Sequence, residues 1–117
     1  MASLIAMAGA PEELAPARVA EMMKEEAQLI DVREPDEREA GRIPDDTAHI
    51  ELDRLTEEAG SIDRERPVIF YCRSGSRSLL AAQAFAAAGY DAHNLSGGLK
   101  AWVADGLPLD PADGRVA

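Results

Sequence analysis

The chain reads as an α/β domain built on a central, mainly parallel sheet with helices on both faces. Segments of strand character and helix character alternate along most of its 117 residues, the pattern of a layered α/β fold. The run Val68–Tyr71, Val-Ile-Phe-Tyr, is apolar throughout and too short for a helix, as befits a strand covered on both faces in a parallel sheet. Glycines at 41, 60, 89 and 106 stand where helical stretches should end.

Taken in order, residues 1–12 form a flexible N-terminal segment of mostly small and apolar character, and the stretch to Leu14 gives a short edge strand. Over 17–26, Val19, Met22 and Met23 share one face while Glu21, Lys24 and Glu25 lie mostly on the other, which describes an amphipathic helix whose methionines belong to a core. Residues 28–33 form a strand interrupted by Asp31, a carboxylate that needs a fixed partner if buried. Residues 34–41 form a short capped helix with a solvated acidic face, closed by Gly41. A turn over 42–47, a strand over 48–52 and a helix from about 53 to 59 follow. After Val68–Tyr71, a helix capped by Ser76 or Ser78 carries Leu79, Leu80, Ala84, Phe85 and Ala88 at helical spacing. A strand over 90–95, the turn Ser96-Gly97-Gly98 and a short helix over 99–104 with the single Trp102 complete a domain expected over 13–110, with 111–117 as a C-terminal tail.

A net charge of −10, spread along the chain, argues against nucleic acid or an anionic membrane as partner. No apolar run approaches a membrane span, and the start lacks the basic region of a secretory signal. The single cysteine excludes an intrachain disulfide, so a reducing cytoplasm is the expected location. His49 and His93 have no neighbouring ligands in sequence, and neither a metal nor another cofactor is expected.

That cysteine, Cys72, sits where the central strand gives way to Arg73-Ser74-Gly75-Ser76-Arg77-Ser78 and the next helix. Free backbone N–H groups at a helix start favour negative charge, and Gly75 allows the loop to curl its amides inward as an anion-binding nest. With Arg73 and Arg77 adjacent, the thiol pKa is expected to fall from about 8.5 toward roughly 3.5–7.5, which makes Cys72 a thiolate near neutrality. A lone cysteine after an apolar strand is more often an inert core residue. Two flanking guanidiniums that need solvation weigh against that here. Asp31 and Arg33, at the carboxyl end of the other apolar strand, are candidates to brace the loop, with a local ion pair as the alternative.

Together, Leu29-Ile30-Asp31-Val32-Arg33-Glu34-Pro35, Gly41-Arg42-Ile43-Pro44, Cys72-Arg73-Ser74-Gly75-Ser76-Arg77-Ser78 and Leu95-Ser96-Gly97-Gly98-Leu99-Lys100-Ala101-Trp102 resemble a single-domain rhodanese. The resemblance spans about residues 14–109. It implies a five-stranded parallel sheet and a cysteine, matched by Cys72, that carries a persulfide while moving sulfane sulfur from thiosulfate or a similar anionic donor to a thiol or cyanide. A thioredoxin-like or sulfur-carrier protein is among the implied acceptors. On this reading Arg73, Ser74, Gly75, Ser76 and Arg77 bind substrate, while Asp31, Arg33, Ser78 and Trp102 support them. Arg42 stands where the family often has His, and the 45–48 turn is one residue longer than usual. Ser74 replaces a second basic residue common in thiosulfate-specialised members, which leaves the donor open.

Two other functions fit parts of this pattern. Phosphatase or arsenate-reductase loops place an arginine six residues after the cysteine, whereas here that position is Ser78 and Arg77 comes at five. A non-catalytic binding module on the same fold is expected where the cysteine is lost, and here it is retained.

Overall fold

A computed structural model describes residues 10–117. Most of the N-terminal segment expected to be flexible, residues 1–9, lies outside the described residues. Five strands form one sheet in the order β1-β5-β4-β2-β3, every pair parallel: β1 Glu12–Leu14, β2 Gln28–Asp31, β3 Ala48–His49, β4 Val68–Tyr71 and β5 Ala92–Leu95. The α/β class and the five-stranded sheet expected from the sequence are both present. Register runs Gln28↔Val68 to Asp31↔Tyr71 between β2 and β4, and Val68↔Ala92 to Phe70↔Asn94 between β4 and β5. Because all strands run one way, their carboxyl ends meet along one edge, the place where open α/β sheets build their sites.

The helices are α1 Pro16–Met23, α2 Pro35–Ala40, α3 Leu55–Glu58, α4 Ser76–Ala87 and α5 Gly98–Ala104. Strand periodicity sorts them into two layers. Val68 and Phe70 of β4, and Cys72 directly after it, belong to the face covered by α3 and α4, where Leu55, Ala81, Ala82, Phe85 and Ala86 close the core. Ile69 and Tyr71 point to the opposite face, with Val19 and Met22 of α1 and Leu99 and Trp102 of α5. Phe85 stacks between Phe70 and Tyr90 at centroid distances of 4.9 and 4.8 Å, which anchors α4 to the central strand. Alternation along β4 thus directs the Cys72 side chain toward the α4 side.

Several boundaries differ from the sequence reading. The helix read over 17–26 ends at Met23, and the strands read over 28–33 and 90–95 are confined to Gln28–Asp31 and Ala92–Leu95. The strand expected over 48–52 pairs only at Ala48–His49, after which the chain bends through a 3₁₀ turn at Leu52–Arg54. The expected helix over 53–59 is split into that turn, α3 and a second 3₁₀ turn at Ala59–Ser61. α4 begins on Gly75 as N-cap, at φ 102°, with no side-chain cap, so neither Ser76 nor Ser78 serves that role. Among the described residues, no helix is long and apolar enough to cross a membrane.

Candidate active site

Cys72 follows the last residue of β4 and has no exposed surface. Its Sγ accepts hydrogen bonds from the Gly75 amide at 3.1 Å, the Ser78 amide at 3.5 Å and the Ser78 hydroxyl at 3.3 Å. The loop thus closes as a ring of donors around sulfur, and the left-handed Gly75 is what lets it close. A Cβ at Gly75 would also press on Gly97 N at 3.2 Å. Burial pushes the Cys72 thiol up, but the Ser78 hydroxyl and the amides of Ser78, Gly75 and Ser74 outweigh it, and the pKa lies below its ordinary value.

The expected direction of that shift is present; its leading cause is not the one the sequence suggested. The donors on sulfur are loop amides and a hydroxyl. Arg77 is drawn to Glu37 of α2, with Nη1 and Nη2 each 2.8 Å from a carboxylate oxygen. This pair raises the Arg77 pKa and lowers that of Glu37 to about 2, the Arg77 hydrogen bond being the main cause. The solvated acidic face read for residues 34–41 is therefore incorrect at Glu37, which is largely buried against Arg77. Arg73 is exposed, and its Nε donates to a backbone oxygen of Ala117 at 3.0 Å. Ser74 and Ser76 are exposed, the latter opening α4.

Asp31 and Arg33 form the fixed pair that burial demands. Arg33 Nε and Nη2 each lie 2.9 Å from an Asp31 oxygen, and both side chains have zero exposure. Arg33 also donates to the carbonyls of Glu37 at 3.3 Å and Gly41 at 2.8 Å, so it grips both ends of the turn that carries α2. Asp31 receives Arg38 at 3.1 Å, Arg38 pairs with Asp46 at 2.7 Å, and Tyr71 OH donates to Asp46 at 2.8 Å. These residues do not bond to the cysteine loop. They secure α2, α2 presents Glu37, and Glu37 holds Arg77.

Trp102, expected beside the loop, sits on the other face of the sheet with Nε1 donating to the Pro108 carbonyl at 2.7 Å. Its helix reaches the loop through backbone instead. Leu99 N donates to Cys72 O at 2.9 Å and Lys100 N to Arg73 O at 3.0 Å. Gly98 permits this approach, since a Cβ there would lie 2.6 Å from both carbonyl oxygens. Sequence reasoning also missed Asn94, whose buried Nδ2 donates to Gly75 O at 3.1 Å and to Glu13 at 3.0 Å. The available signal was a polar side chain in the interior of the expected 90–95 strand, a position that requires a partner.

Over residues 15–105 the chain matches the family described as Rhodanese-like domain. It is 36% identical over 91 residues to a protein named sulfurtransferase from Allochromatium vinosum, a match covering 77% of this chain and 84% of that one. It is 28% identical over 106 residues to the thiosulfate sulfurtransferase GlpE of Pseudomonas aeruginosa, covering 90% and 94% of the two chains. Among solved structures, a rhodanese-related protein from Thermoplasma volcanium aligns with a TM-score of 0.77 at 26% identity, covering 84% of this chain and 96% of that one.

Proposed function

The chain belongs to the rhodanese-like family, and from that premise we propose that it is a cytoplasmic sulfurtransferase in which Cys72 carries sulfane sulfur as a persulfide. The observation that carries the reading is the Cys72 sulfur inside a ring of loop amides and the Ser78 hydroxyl, with its pKa lowered despite burial.

In the first half-reaction the Cys72 thiolate attacks the outer sulfur of thiosulfate or a similar donor. A new S–S bond forms, the donor's own S–S bond breaks, and sulfite or its equivalent leaves with the electron pair. In the second, a thiolate or cyanide attacks the terminal sulfur, and the Cys72 thiolate departs as the leaving group. The terminal sulfur stands about 2 Å beyond Sγ, which brings the transferable atom outward from a thiol that has no exposure of its own. The inward amides of the loop hold it, and Gly75 keeps the ring free of a side chain.

Arg73 meets the anionic donor at the rim. Arg77 contributes less charge than its position suggests, because Glu37 neutralises it. A protein acceptor, thioredoxin-like or a sulfur carrier, fits this chemistry as well as a small thiol. A phosphatase-like reaction is disfavoured because the sixth residue after the nucleophile is Ser78, buried and donating to sulfur, so no guanidinium occupies that place.

Reduced protein treated with thiosulfate, freed of excess donor and weighed intact should gain one sulfur atom, which cyanide then removes. Cys72→Ser should gain none. If the wild type gains nothing from thiosulfate, polysulfide or mercaptopyruvate, the reading fails and a binding role takes its place.

A further inference from the structure

Asn94 lies in β5, in register with Glu13 of β1 on one side and Phe70 of β4 on the other, and is 1% exposed. Its Nδ2 meets two acceptors, the Gly75 carbonyl at 3.1 Å and Glu13 Oε1 at 3.0 Å, which fixes the amide with its nitrogen toward the cysteine loop. The oxygen on the other side, Oδ1, is buried without a partner among the described residues. An unpaired amide oxygen in the interior costs stability that an apolar side chain would not lose. Neither acceptor needs Asn94 for its own sake: Gly75 O also receives Leu79 N at 3.1 Å, and Glu13 is exposed to solvent. A polar residue that breaks the packing rule without a structural need points to a use in the site.

That use follows from peptide geometry. The Gly75 carbonyl and the Ser76 N–H belong to one planar trans unit and point in opposite directions. Asn94 and Leu79 draw the carbonyl toward β5 and α4, which turns the Ser76 N–H back toward the loop. Cys72 Sγ already has the amides of Gly75 and Ser78 and the Ser78 hydroxyl. The Ser76 amide has no acceptor among the described residues, so it is a donor left for a second sulfur. A thiolate and the thiosulfate dianion give the sulfite dianion and a persulfide anion, which leaves one negative charge on the terminal sulfur. A preset N–H facing that charge stabilises it without reorganising.

We propose that Asn94 is a positioning residue for sulfur transfer: by holding the Gly75 carbonyl it aims the Ser76 amide at the terminal sulfur of the loaded cysteine. This deepens the sulfurtransferase reading and rests on it.

Two variants remove the Nδ2 donor. Asn94→Leu keeps the shape of the side chain, and Asn94→Ala serves if the larger apolar group does not fit. Sulfur loading from thiosulfate is followed by intact mass in a single turnover, beside urea unfolding, the pH dependence of iodoacetamide alkylation and ¹⁵N relaxation of the Ser76 amide. The maximal loading rate should fall about ten-fold, with the half-saturating thiosulfate concentration unchanged within about two-fold. The urea midpoint of Asn94→Leu should equal or exceed that of the wild type, the alkylation inflection should stay in place, and the Ser76 N–H should pass from ordered to mobile. An unchanged loading rate would overturn the proposal. So would a loss that both variants share with a lowered urea midpoint, which makes Asn94 structural, or a loss matched by a shifted alkylation inflection, which places its effect on Sγ. If the wild type accepts no sulfur from thiosulfate, polysulfide or mercaptopyruvate, the sulfurtransferase reading falls. The aiming of the Ser76 amide then stands or falls on the relaxation data, an N–H equally ordered in the variants counting against it.

Discussion

Among the described residues, Ser78 supplies the one hydroxyl that touches the Cys72 sulfur, at 3.3 Å, from the first turn of α4. A hydrogen bond from a hydroxyl to a thiolate stabilises the charged form. Ser78→Ala should therefore raise the Cys72 pKa. Measured as the rate of iodoacetamide alkylation against pH, the inflection should move to higher pH in the variant; an unmoved inflection would remove Ser78 from thiolate stabilisation. Sulfur loading at neutral pH should slow accordingly, because a smaller fraction of the thiol is ionised. The sequence placed Ser78 in the loop but not on the sulfur. A serine near a helix start reads first as a cap, and only the left-handed Gly75, by taking the N-cap position itself, turns Ser78 inward.

At the scale of elements, α2 is a bracket for the cysteine loop. It buries no residue of its own, so its place depends on Arg33 beneath it and on Glu37 reaching Arg77. Glu37 has its pKa lowered to about 2 by Arg77, below its ordinary 4.5. A carboxylate depressed in the folded state contributes stability that is complete above its unfolded value and is lost as pH falls through the folded one. Glu37→Gln should thus cost about 1–2 kcal/mol at pH 7, a figure discounted because Arg77 is partly exposed, and almost nothing near pH 2. Urea titrations of wild type and variant at both pH values check this, and an equal cost at the two would disprove it. At the other side of the loop, Gly98→Ala combines φ 61° with a 2.6 Å approach to the Cys72 and Arg73 carbonyls. It should lower stability by roughly 1–3 kcal/mol and reduce sulfur loading at temperatures where the variant remains folded, both measurable on one preparation. Neither contact was legible in the sequence. Glu37 and Arg77 lie 40 residues apart, and a charge on a short helix shows no local sign of a distant partner. Gly97-Gly98 could be read as a turn, but not as the place where a helix start meets the preceding loop.

For the whole molecule, the legible part was the part governed by short-range pattern. Val68–Tyr71 was recognisable because four successive apolar residues suit a strand covered on both faces, and its alternation carries on to Cys72. β3 was overestimated because apolar residues continue past the pairing: Ile50 is buried, but beyond His49 the chain turns away through the Leu52–Arg54 turn. Asp31 announced a buried charge, and its partner Arg33 lies two residues on. That pair ties the sheet to the bracket and the bracket to the loop, so its loss should be felt globally. Removing one member of a buried ion pair costs roughly 3–5 kcal/mol, because the remaining charge is left in the interior. Against a total of about 5–15 kcal/mol for a domain, Arg33→Met should bring the protein close to its folding limit. Here Arg38 still faces Asp31 and moderates the loss, so a value toward the lower end is expected. With a urea dependence of roughly 1–3 kcal/mol per molar, the unfolding midpoint should fall by at least about 1 M. Asp31→Asn added to Arg33→Met should recover part of that loss by removing the stranded charge. A midpoint for the double variant below that of the single one would show that Asp31 is held by Arg38 and the strand end rather than by Arg33.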